Sequence, residues 1–123
     1  MKNRSFLERL GFALAGLAAV FARERSFRTQ CGFAIAAICL VILLRPGWIW
    51  AAFVAVSIVL VLALELMNSA LEYLIDRVHP DIAPQIKLAK DAAAGAVLIA
   101  SAGALIVGAM MLADTFKLLT GKL

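Results

Sequence analysis

The chain has 123 residues, 64% of them hydrophobic and 16% charged, with a formal net charge of +4 and a mean hydropathy of +0.98. Soluble domains average roughly 45–50% apolar residues, so the composition excludes a soluble globular protein and predicts a single integral-membrane domain. Residues 1–9 carry charge, but the apolar stretch behind them has no A-x-A-type site before Arg23, so no cleavable leader is predicted.

The first predicted element is an amphipathic helix. Phe6, Leu10, Leu14, Leu17 and Phe21 recur every three or four positions, which makes one apolar stripe. Only residues 10–22 are free of charge, 13 in all, too few to cross a hydrocarbon core of about 30 Å. A helix over about residues 5–25 lying on the membrane surface is expected, with a short tilted span as the alternative.

Residues 29–44 form an uncharged run of 16, roughly 24 Å as a helix. A span of about 28–45 follows if Arg28 and Arg45 extend their side chains to the headgroups. Arg45-Pro46-Gly47 breaks it, because proline disrupts the hydrogen-bond ladder and glycine favours a turn. Trp48 and Trp50 follow, at the interface that indoles prefer. Cys31 and Cys39 lie in the apolar run without metal or disulfide spacing and read as small hydrophobes.

The next span begins at about residue 48. Its helical pattern continues to 76, about 43 Å, so its last turns must leave the hydrocarbon. Residues 77–89 read as a loop, marked by His79-Pro80-Asp81 and Pro84. The third span covers about 90–115, with 22 uncharged residues at 92–113. Along it Ala96, Ala100, Ala104 and Gly108 repeat every four positions, a spacing that lets helices approach closely within or between subunits. Three spans put the N-terminus and the 77–89 loop on one side. That side holds nine lysines and arginines against three (Arg45, Lys117 and Lys122) on the other, which predicts a cytoplasmic N-terminus.

At about 100° per residue, Glu65, Asn68, Glu72 and Asp76 fall within roughly 80° of one another on one helix face. They stand where the second span meets the cytoplasm, with Glu24, Lys90 and Asp91 on the same side. Ionisable residues at a span are a functional-site hypothesis by default. Carboxylates of this kind suit Mg²⁺, which takes one or two of them and completes its shell with water and phosphate oxygens. Lysine and arginine grip phosphates, and a carboxylate kept from water makes a stronger base. Together these are the parts of phosphoryl transfer. A purely interfacial collar of charge is the plainer alternative, above all for Arg23, Arg25 and Arg77, and lone His79 reads as a turn residue. A proton or ion pathway is disfavoured, because 29–44 and 92–113 hold no ionisable residue other than cysteine. Neither G-x-x-x-x-G-K-[ST] nor G-x-G-x-x-G occurs.

The run Glu65-Leu66-Met67-Asn68-Ser69-Ala70-Leu71-Glu72-Tyr73-Leu74-Ile75-Asp76 resembles the signature E-x-x-N-[ST]-[SA]-[LIV]-E-x-x-x-D of the small prokaryotic diacylglycerol kinases. Glu24-Arg25-Ser26-Phe27-Arg28 is similar to their E-x-x-F-R element, and Ala89-Lys90-Asp91 with the small residues after it to a third block. The three blocks occur in order and cover nearly the whole chain.

The resemblance implies an all-α membrane protein with three transmembrane helices and an amphipathic surface helix per subunit, assembled as a homotrimer in the bacterial inner membrane. It implies transfer of the ATP γ-phosphate to a lipid alcohol at the cytoplasmic interface, with Mg²⁺ as cofactor and no nucleic-acid partner. Glu65 would be the base, supported by Asn68. Glu24 and Glu72 would ligate the metal, Lys90 and Asp91 would contact nucleotide, and Asp76 would organise that helix end. Arg28 would lie on the lipid side, and the site would draw on two subunits. Ser5, Phe12 and Ala83 depart from the family at nucleotide-contacting positions. The expected substrate is diacylglycerol, giving phosphatidic acid, on the similarity of the Arg77-Val78-His79-Pro80 and Arg45-Pro46-Gly47-Trp48 segments. Undecaprenol, giving undecaprenyl phosphate, is the alternative, on the small-residue run after Asp91. A non-catalytic oligomeric membrane protein is the reading from a different class.

Overall fold

The computed structural model describes residues 2–81 and 83–121, and these form four α-helices. Lys122, counted above in the charge balance, lies outside them. Helix α1 spans Phe6–Arg23. Its N-cap is Ser5, whose Oγ accepts from the Glu8 backbone N–H at 3.3 Å. A serine followed three residues later by glutamate is the sequence signature of such a start.

No glycine or proline marks the end of α1. The chain bends at one residue, Glu24, whose backbone is extended (φ −105°, ψ 111°) between α1 and α2, Arg25–Leu44. The last carbonyls of a helix lack intrahelical partners, and here a side chain supplies them. Arg28 Nη1 donates to Phe21 O at 2.7 Å and to Ala22 O at 3.0 Å. Val20 and Phe27, on either side of the bend, are buried. The elbow is therefore fixed, and with it the position of the Glu24 side chain.

Helix α2 ends where the sequence predicts. Arg45 caps it in the left-handed conformation (φ 49°, ψ 57°), its N–H bonded to Val41 O. A non-glycine residue there costs roughly 1–2 kcal/mol. Arg45→Gly removes that strain but adds unfolded-state entropy of roughly 0.5–1 kcal/mol. A net gain of about 0–1.5 kcal/mol is expected, read as a higher midpoint of thermal unfolding in detergent.

Helix α3 runs Trp48–Val78 and α4 runs Pro84–Thr120. They make the most extensive helix pair, with α2 against α3 next. Val54, Val61, Glu65 and Ser69 form the buried stripe of α3, and Val97, Met111 and Thr115 are buried on α4. Much of the remaining apolar surface faces outward, including Phe33, Trp48, Ile99 and Leu105. Helices that are apolar on all sides suit lipid, and Arg25–Leu44, Trp48–Val78 and Pro84–Lys117 are each long and apolar enough to cross a membrane. Methyl groups built at Gly95, Gly103 and Gly108 would meet no atom within 4 Å. The small size of these residues is therefore not used for close contact inside one chain.

The connection between α3 and α4 is shorter than expected. Residues 77–78 and 84–89, read as loop, are helical, which leaves 79–83 as the link. Pro84 is the reason. It sits in the first turn of α4, where its missing N–H costs nothing and its fixed φ suits a helix. It starts the helix rather than interrupting it.

Candidate functional site at one end of the helices

The polar residues of α2, α3 and α4 meet at the end of the bundle nearest the Glu24 elbow. Glu65 is only 5% exposed and Ser69, one turn further, 2%. A buried carboxylate needs hydrogen-bonding partners. Ser26, two residues past the elbow, donates its hydroxyl to Glu65 Oε2 at 3.2 Å. The first turn of α2 thereby fixes the rotamer of an acid on α3.

Asn68 and Glu72 lie one turn apart. Asn68 Nδ2 donates to Glu72 Oε1 at a long 3.5 Å. Asn68 Oδ1 is buried and has no hydrogen-bond partner among the described residues. A native buried acceptor left so costs roughly 1–3 kcal/mol, and a bound group that brings a donor removes the cost. Glu24 is held from the other side, where the Tyr73 hydroxyl donates to its Oε1 at 2.5 Å. Tyr73 is the residue next to Glu72 on α3, so this bond draws Glu24 to the same part of that helix.

Beyond them, Lys90 Nζ donates to Asp76 Oδ1 at 2.5 Å and ties the end of α3 to the start of α4. Lys87 pairs with Asp91 at 2.6 Å along α4. Exposed pairs of this kind contribute little to stability and exchange easily for another anion. Lys87, Lys90, Asp91 and His79 line a cleft of about 240 Å³ at this end.

Every residue to which the resemblance assigns a role is thus placed. Glu65, Asn68, Glu72 and Asp76 follow one another along α3, Glu24 joins them through Tyr73, and Lys90 through Asp76. Asp91 turns to Lys87. Arg28 stands apart from this group, on the carbonyls of α1. Sequence reasoning missed Ser26 and Tyr73. Ser26 sits inside the E-x-x-F-R element and Tyr73 beside Glu72, but nothing local says that either reaches an acid on another helix.

Among the described residues no three histidines, cysteines or acids converge as a preformed metal cluster. Glu24 and Glu72 nevertheless fit a hydrated Mg²⁺, which needs only one or two carboxylates and keeps several waters. The unsatisfied Asn68 Oδ1 beside Glu72 offers an acceptor for such a water.

The fold and this polar end define a multi-pass membrane protein with an acidic site at one membrane boundary. The model of the family described as "Prokaryotic diacylglycerol kinase" matches residues 11–112, a stretch that encloses all of these acids. A protein from Synechocystis sp. named "Diacylglycerol kinase" is 41% identical over 102 residues, covering 82% of this chain and 58% of that protein. The chain belongs to the prokaryotic diacylglycerol kinase family. It spans a little under three-fifths of the length of that curated relative.

Proposed function

We propose that this protein is a membrane lipid kinase that moves the γ-phosphate of ATP to the hydroxyl of diacylglycerol at the cytoplasmic boundary of the bacterial inner membrane. The observation that carries the reading is the juxtaposition of a shielded acid, Glu65, with two further acids and a lysine where the spans leave the hydrocarbon. A lipid hydroxyl and a water-soluble triphosphate can meet only at such a boundary.

Each side chain has a distinct task. Ser26 occupies one of the roughly four lone-pair sites of the Glu65 carboxylate, which orients the rest toward the lipid hydroxyl. Glu65 takes the hydroxyl proton as the lipid oxygen bonds to the γ-phosphorus. The bond from that phosphorus to the β,γ-bridging oxygen breaks, ADP leaves, and Glu65 returns its proton to water. Glu24 and Glu72 would hold Mg²⁺, which would supply charge neutralisation at the triphosphate. Lys90 exchanges Asp76 for a phosphate oxygen, and Asp91 with Lys87 borders the nucleotide. Arg28 acts on the elbow that carries Glu24. Helix α1 lies on the membrane surface, and three copies assemble around the small-residue face of α4.

Purified protein in lipid micelles, given labelled ATP with diacylglycerol or with undecaprenol, tests the reading. Phosphatidic acid is the expected product. Undecaprenyl phosphate alone would reassign the substrate, and phosphorylation of neither lipid would leave a non-catalytic membrane assembly. Lys90→Met is expected to raise the KM for ATP by about 10–100-fold, the scale of one hydrogen bond to a charged group. Its KM for the lipid should change far less, and the ratio of the two constants checks the assignment.

A further inference from the structure

At the opposite end of the bundle an aromatic pocket surrounds an acid that the proposed reaction does not use. Trp48, Trp50, Phe53 and Asp114 line a space of about 390 Å³ between the α2–α3 turn and the last turns of α4. The Trp50 and Phe53 rings are tilted at 56° with centroids 6.2 Å apart. Trp50 Nε1 donates to Asp114 Oδ2 at 2.8 Å, which fixes the carboxylate against the indole edge. That bond takes one of the roughly four lone-pair sites a carboxylate offers. Asp114 follows Lys90 by 24 residues of continuous helix, a rise of about 36 Å. The pocket therefore opens at the far membrane interface, in the layer of lipid headgroups.

Aromatic faces attract organic cations, and a carboxylate accepts hydrogen bonds from a primary ammonium, which a quaternary one cannot donate. An anionic headgroup meets repulsion from the same acid. We propose that this pocket binds the primary ammonium of a phosphatidylethanolamine headgroup, with Asp114 accepting its N–H groups and the rings of Trp48, Trp50 and Phe53 bordering it. The site tethers the protein to one lipid class on the face opposite its carboxylates, and it stands whether or not the kinase reading holds.

Native mass spectrometry of the full chain in detergent, titrated separately with phosphatidylethanolamine, phosphatidylcholine and phosphatidylglycerol of identical acyl chains, tests this. The expected result is retention of phosphatidylethanolamine about tenfold tighter than either other lipid. Asp114→Asn should erase that preference while turnover in micelles of fixed composition stays at the wild-type level. Equal retention of the three lipids by the wild type would overturn the proposal, as would an undiminished preference in the variant. If Asp114→Asn does not fold, Phe53→Leu, at a half-exposed ring, carries the same test. It should weaken phosphatidylethanolamine binding and leave phosphatidylglycerol unchanged, and no weakening would overturn the proposal.

Discussion

Glu65→Gln is expected to lower lipid phosphorylation by about 10²–10⁴-fold, the usual scale for a lost general base, while the protein remains folded. Glutamine has the shape of glutamate, and its carbonyl oxygen can accept the Ser26 hydroxyl that now bonds Oε2. Its amide cannot take the proton of the lipid alcohol. The substitution thus separates chemistry from architecture. Helical content and elution volume should match the wild type, ATP binding should persist, and only turnover should collapse. Glu65→Asp gives a graded version. The carboxylate survives but retreats by one methylene, and a displacement near 1 Å costs about 10²-fold in a well-aligned site. Glu65 is 5% exposed, so an ordinary surface carboxylate is a poor description of it. Near-normal turnover in Glu65→Gln would remove the proton-accepting role and move attention to another acid of the same helix.

What the sequence made legible divides along a physical line. Features set by local chemistry were readable. The apolar stripe from Phe6 to Phe21, the break at Pro46 and Gly47, and the acidic periodicity from Glu65 to Asp76 each depend on residues a few positions apart. Pro84 misled because proline stops a helix from within and starts one at its first turn, and only the neighbouring structure decides between the two. The sequence separates the first two helices at about 25–28, close to the elbow at Glu24, but says nothing of how that elbow is held. It is built by Arg28 reaching back to the α1 carbonyls, with no glycine or proline to announce it. The contacts that assemble the site are longer still. Ser26 meets Glu65 across 39 positions and Tyr73 meets Glu24 across 49. Periodicity places residues on a face, but it carries no information about which other helix that face meets. The resemblance to a family supplied roles for Glu24 and Glu72 without saying what holds them in place.

That missing support yields the second large effect. Tyr73 donates to Glu24 at 2.5 Å and is therefore the residue that fixes one of the two acids assigned to the metal. Outer partners of metal-binding groups orient them, and losing one typically costs about 10–100-fold in metal affinity or activity. Tyr73→Phe keeps the ring and deletes only the donor. It is expected to shift the Mg²⁺ concentration for half-maximal turnover upward by that factor, with activity largely restored at saturating Mg²⁺. Glu24→Gln removes the ligand itself, so its loss should not be recovered by added metal. The double variant should be no worse than Glu24→Gln alone, because the hydroxyl acts only through the carboxylate, and such non-additivity is what a double-mutant cycle detects. Additive losses would mean that Tyr73 serves the lipid or the nucleotide directly. An unchanged Mg²⁺ requirement in Glu24→Gln would remove Glu24 from the metal and leave the hydrogen bond as a clasp between α3 and the elbow.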